Sequence, residues 1–150
     1  MLIQITKRAD GASLLRCVRD DGSITWQKLP RHSAHFSLHD LTHFAVETTL
    51  GLQRAFFGLI KEGWDIEDTT GKGTPGPIPP DAAVAEQLVG YLDAERATGV
   101  IWTIEQFREF SGEWMQSITA EDLAAIRRRR SELFEQWAQV EVNGVLELSL

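Results

Sequence analysis

LIQITKRADGASLLRCVRDDGSITWQKL, residues 2 to 29, holds three β-compatible runs, 2–7, 13–19 and 23–29, separated by Asp10-Gly11 and Asp21-Gly22. Asp-Gly between such runs signals a hairpin, because both residues tolerate positive φ. The reading is an antiparallel meander. In the middle run Leu15 and Cys17 face one way and Leu14 and Val18 the other, so a strand covered on both faces is expected. Cys17 is the single cysteine; it has no partner for an internal disulfide and reads as a small core residue.

Downstream, three segments share one helix-start signature. Ser37-x-x-Asp40, Thr103-x-x-Gln106 and Thr119-x-x-Asp122 each resemble a capping box. Each is flanked by an apolar pair suited to a hydrophobic staple: Phe36 with Leu41, Trp102 with Phe107, Ile118 with Leu123. Helices are expected over about 38–61 with a bend at Gly51, about 81–98 ending at Gly99, about 104–116 and about 120–139. The tail 145–150 alternates Leu146, Leu148 and Leu150 with Glu147 and Ser149, and is expected to add a final strand. Asn143-Gly144 before it is either a helix C-cap or a hairpin turn. These elements give an α+β fold in one domain over 1–150. An antiparallel sheet of three to four strands, the N-terminal meander plus the C-terminal strand, packs with about four helices.

Composition limits the function classes. A net charge of −7 argues against nucleic acid or an anionic membrane surface as partner. No apolar run approaches the ~20 residues of a membrane span and no leader-like segment follows Met1, so a cytoplasmic protein is expected. A small-molecule substrate and a homo-oligomer both remain compatible with the chain. The segment 63–80 carries four of the five prolines and four glycines, and reads as a flexible connection, a lid or a binding loop.

The chemistry gathers in SLHDLTHFAVE, residues 37 to 47. On a helix His39, Asp40, His43 and Glu47 fall within an arc of about 100°. Apolar residues on two sides of this helix, Leu41, Ala45 and Leu52 on one and Val46, Leu50 and Phe57 on another, mark it as central. Its polar stripe is then buried, and buried ionisable groups must be paired, hydrogen-bonded or metal-bound. His39 and His43 lie about 6 Å apart along the axis and can share one ion, whereas Glu47 is about 12 Å from His39. The expected metal ligands are therefore His39 and His43. Asp40 or Glu47 serves as third ligand, general base or orienting group, and His35 can fold back over the first turn; His32 is a weaker candidate. The ligand types suit a divalent ion, zinc, iron or nickel.

His39-Asp-Leu-Thr-His43 resembles the H-E-x-x-H helix of zincin metalloproteases, with Asp40 in the place of their glutamate. It also resembles the HDxxH motif of a coenzyme Q biosynthesis protein family, mostly helical and linked to a metal and a quinone-related lipid. That likeness implies His39, Asp40 and His43 as metal ligands; Ala55 stands where the family has a further glutamate. The stretch from His39 to Glu47 with Leu50-Gly51-Leu52 is also similar to small uncharacterised bacterial proteins. Two functions stay open: a small metal-dependent hydrolase or lyase in which Glu47 or Asp40 moves protons, and a non-catalytic binding or assembly protein with a buried polar network.

Two other features stand out. Arg130 falls within the apolar face of Leu123, Ile126, Leu133 and Trp137, and Glu95 holds a similar place on its own helix. They are expected to form an ion pair, or else Glu95 is a further ligand and Arg130 an anion-binding group. Gly71 to Gly76 matches G-x-G-x-x-G, but without a preceding strand or following helix it is not a nucleotide fingerprint.

Overall fold

The computed structural model describes residues 1–29, 34–71, 75–110 and 112–150. Strands β1 (Leu2–Lys7), β2 (Ser13–Val18) and β3 (Ile24–Leu29) form the expected meander. Strand β4 (Val145–Ser149) joins β1 on its free side, so the antiparallel sheet runs β3-β2-β1-β4. Both hairpins use a three-residue loop rather than a turn with two positive φ values. Arg8 N–H donates to Ala12 O at 3.0 Å and Gly11 N–H to Arg8 O at 3.1 Å, and Arg19, Gly22 and Ser23 repeat the pattern. Only the glycines take positive φ, 76° at Gly11 and 84° at Gly22. Asp10 and Asp21 instead accept from the N–H two residues on, Ala12 and Ser23, at 3.1 and 2.9 Å. The Asp-Gly pair therefore divides its work between an Asx turn and a left-handed glycine.

Register sorts the sheet into two faces. Ile3 opposes Cys17 and Leu148, and Ile5 opposes Leu15 and Leu146, all buried on the inner face. On the outer face Gln4 opposes Arg16 and Glu147, and Arg16 opposes Trp26, which stays 62 % exposed. Among the described residues the sheet is thus covered on one face only, and Leu14 and Val18 are half-buried among their neighbours.

Helix α1 (Ala34–Leu50) lies at the centre of the molecule. Its Leu41, Phe44 and Ala45 pack with the sheet and with Phe57, Ile60, Leu133 and Trp137. On its other side Val46 joins a second cluster with Leu88, Leu92, Phe107, Leu123 and Ile126. Burial on two sides, worth about 1.5–3 kcal/mol for each large apolar side chain, outweighs the single-stripe pattern of a surface helix. The helix begins one turn before Ser37. That serine is no cap: it is buried inside the helix, its Oγ bonded to Ser13 Oγ at 3.0 Å, and packing overrides the local signature.

At Gly51, with φ 66°, the helix ends rather than bends, and Leu52 N–H closes onto Glu47 O at 3.0 Å. A separate helix α2 (Phe56–Lys61) follows. Helices α3 (Pro80–Thr98), α4 (Ile104–Phe110) and α5 (Ala120–Gln139) complete the set, giving five α-helices among the described residues instead of about four. Thr103 and Thr119 form the expected capping boxes with Gln106 and Asp122, whose backbone N–H groups donate to the threonine hydroxyls at 3.3 and 3.1 Å. Helix α4 is shorter than expected, and a 3-10 turn at Glu113–Ser117 takes over its second half.

The described residues of the 63–80 connection are not structureless. They hold a 3-10 turn, Ile66–Thr70, tied to β3 by Ile66 N–H donating to Thr25 Oγ1 at 3.2 Å. The G-x-G-x-x-G match falls partly on residues 72–74, outside the described residues. Asn143-Gly144 forms a turn, with Asn143 at φ 66° and Gly144 N–H bonded to Glu141 O at 2.8 Å. No described helix is long and apolar enough to cross a membrane.

Candidate metal centre

Helices α1 and α3 run antiparallel, so successive turns of one meet successive acids of the other. His39 Nδ1–H donates to Asp93 Oδ2 at 2.9 Å, which turns its Nε2 toward Glu86, 3.8 Å from Oε1. One turn on, His43 Nε2 bonds to Glu86 Oε2 at 3.1 Å, and its Nδ1 faces Glu47 Oε1 at 3.5 Å. That last contact is an ion pair without hydrogen-bond alignment. Each imidazole thus has a carboxylate behind Nδ1 and presents Nε2 to a shared third carboxylate. One ligand atom from each of His39, His43 and Glu86 lies within 4.8 Å of the other two. Two donors on one zinc ion sit about 3.4 Å apart in a tetrahedron, so closing the trio requires movement of about 1 Å. The Glu86 side chain, 63 % exposed, is free to supply it.

Electrostatics follow from burial and pairing. Burial alone would lower the His43 pKa, but Glu47 and Glu86 overcome it and raise it to about 9. Its bond to His43 holds Glu86 below the ordinary carboxylate range. Asp93 is also held low: burial pushes it up, and the bond from His39, with Arg96 beside it, more than offsets this.

The other expected site residues have different surroundings. Glu47 is buried at 2 %, and its carboxylate accepts from the N–H groups of Phe57 (3.0 Å) and Gly58 (3.2 Å) at the start of α2. Helix α2 has no side-chain cap of its own at Ala55, so Glu47 supplies one from across the break. Glycine at 58 is required by the chain reversal itself, because a Cβ there would stand 2.1 Å from the Gln53 carbonyl oxygen. Asp40 is buried, with Oδ2 lacking a hydrogen-bond partner among the described residues, and burial pushes its carboxyl up to about 7 against the pull of His43 and His39. It is not among the three clustered donors. His35 is exposed and accepts from Arg96 Nη2 at 2.6 Å through Nδ1, outside the cluster. His32 lies outside the described residues. Cys17 is fully buried, its thiol pushed up to about 12 by burial and then by Asp40, which makes it an inert core residue.

Sequence reasoning missed Glu86 and Asp93. Their seven-residue spacing puts both on one face of α3, but nothing local says that this face meets α1. Glu95 is instead enclosed: Arg127 grips both of its oxygens, Trp102 N–H donates at 2.9 Å, and Arg130 stands 3.7 Å away. The expected Glu95–Arg130 pair is present, and Arg127 is the tighter partner.

His39, Asp40, His43 and Glu86 share a cavity of about 490 Å³ with Phe36, Phe56, Ile66, Thr69, Thr70 and Ile78. Ile66, Thr69, Thr70 and Ile78 bring described parts of the 63–80 connection into its wall. Comparison with protein-family models, curated proteins and solved structures returned no match.

Proposed function

We propose that the protein binds one divalent metal ion through His39, His43 and Glu86, and that the open side of this centre serves a small hydrolase or lyase reaction in the adjoining cavity. One observation carries the reading. Both imidazoles have a carboxylate at Nδ1, Asp93 for His39 and Glu47 for His43, and both aim Nε2 at one further carboxylate. Metal-ligating histidines commonly carry such a partner at the far nitrogen; here Asp93 hydrogen-bonds His39 Nδ1 and Glu47 stands at ion-pair distance from His43 Nδ1. Three protein ligands facing a cavity is the arrangement of a catalytic rather than a structural zinc site. An ion held there would polarise a carbonyl or phosphoryl group of a bound molecule.

In the absence of an ion, the proton on His43 takes the ion's place between His43 and Glu86. Asp40, in the same cavity and without a partner at Oδ2 among the described residues, would hold or pass a proton.

A metal-free polar network is the second reading, favoured by the 3.1 Å His43–Glu86 bond, which pairs these groups without an ion. Metal analysis of protein purified without an affinity tag separates the two. A stoichiometric divalent ion, lost in His39→Ala/His43→Ala, supports the metal centre. Metal-free protein that also fails to take up zinc, iron or nickel on addition rejects it.

A further inference from the structure

We infer that the cavity beside the His39, His43 and Glu86 cluster takes a ligand with one oxygen-donor head and an apolar body, the head at the metal and the body along the wall built by Phe36, Phe56, Ile66 and Ile78. This rests on the metal reading of the same site. At about 490 Å³ the cavity has the size of a small-molecule site. Its walls are more apolar than their composition suggests. Thr69 Oγ1 donates to Ile66 O at 2.7 Å and Thr70 Oγ1 to Glu67 O at 3.0 Å, so both hydroxyl protons are spent on the backbone.

Phe36 and Ile78 line the cavity yet remain 44 % and 37 % exposed, apolar surface that a hydrocarbon or aromatic body would cover. The described lining residues include no lysine or arginine, and Asp40 and Glu86 are acidic. A multiply charged head would therefore find the ion as its one strong partner. Selectivity should then come from the body.

The test uses the whole chain loaded with cobalt(II), whose visible spectrum reports each change in coordination. Acetohydroxamate, hexanohydroxamate and inorganic phosphate are titrated in turn. Each added buried methylene should tighten binding about three- to fourfold, so the four extra methylenes of hexanohydroxamate should gain about a hundredfold. Ile78→Ser should cut that gain roughly tenfold while cobalt uptake stays at one ion per chain. Equal affinity for the two hydroxamates, or phosphate binding more tightly than hexanohydroxamate, overturns the inference while leaving the metal centre standing. Failure of the chain to take up cobalt overturns the metal reading and this inference with it.

Discussion

Replacing Glu47 separates a helix-capping carboxylate from a metal ligand. In Glu47→Ala the N–H groups of Phe57 and Gly58, both buried, lose their acceptor. Each orphaned buried donor costs about 1–3 kcal/mol, so the two together cost about 2–6 kcal/mol. That is a large share of the ~5–15 kcal/mol by which a domain is held folded. Glu47→Gln keeps one oxygen acceptor in place and should cost about 1–2 kcal/mol. Urea unfolding in the presence of a chelator, followed by circular dichroism, measures both without any contribution from metal. Zinc affinity should fall no more than about 10–100-fold in Glu47→Gln, because Glu47 acts through the His43 ring. A Glu47→Ala protein as stable as the wild type, or a Glu47→Gln protein of normal stability with zinc binding abolished, would refute the capping role.

Two further expectations concern pH in the metal-free protein. The His43 pKa is raised to about 9 from an ordinary 6.5, so the stability it contributes is complete below about 6.5 and lost as pH rises through about 9. The urea midpoint should fall across that window in the wild type, and a midpoint that rises from pH 6.5 to 9 would contradict the pairing with Glu47 and Glu86. The Asp40 carboxyl is raised to about 7 from 3.8, so stability is full below about 3.8, falls as pH climbs from there, and the loss is complete by about 7. The move corresponds to about 4 kcal/mol, and Asp40→Asn should recover about 2 kcal/mol at pH 8, since the amide still needs partners. Destabilisation by Asp40→Asn at pH 8 would mean that Asp40 has a partner the described residues do not supply.

The parts of this protein legible in its sequence are those decided locally. The meander was readable because Asp10-Gly11 and Asp21-Gly22 punctuate runs of period two, and α5 because Thr119 and Asp122 satisfy each other within one turn. Gly99 marked the end of α3 for a similar reason, since its φ of 71° suits a residue without a Cβ. Ser37 shows where locality fails: the same cap signature lies inside a helix because Ser13 and the sheet bury it. The His39 and His43 half of the cluster sits on a single helix, so spacing alone revealed it. Glu86 and Asp93 come from α3, beyond the 63–80 connection, and depend on how two helices pack. Glu47 was readable as a member of the buried stripe, but its work as a cap depends on the chain reversing at Gly51 to bring Phe57 and Gly58 back to it.

The most direct measurement is a calorimetric titration of zinc into untagged wild-type and Glu86→Ala protein, with thermal unfolding recorded on both. The Glu86 side chain is 63 % exposed, so its removal should cost the fold only the pairing it gives His43, which thermal unfolding reads separately from zinc affinity. The wild type should bind one zinc ion per chain, and Glu86→Ala should bind at least about a hundredfold more weakly, a loss of about 2.7 kcal/mol or more. A wild type that takes up no zinc, or a Glu86→Ala protein that binds it as tightly as the wild type, would contradict the metal centre.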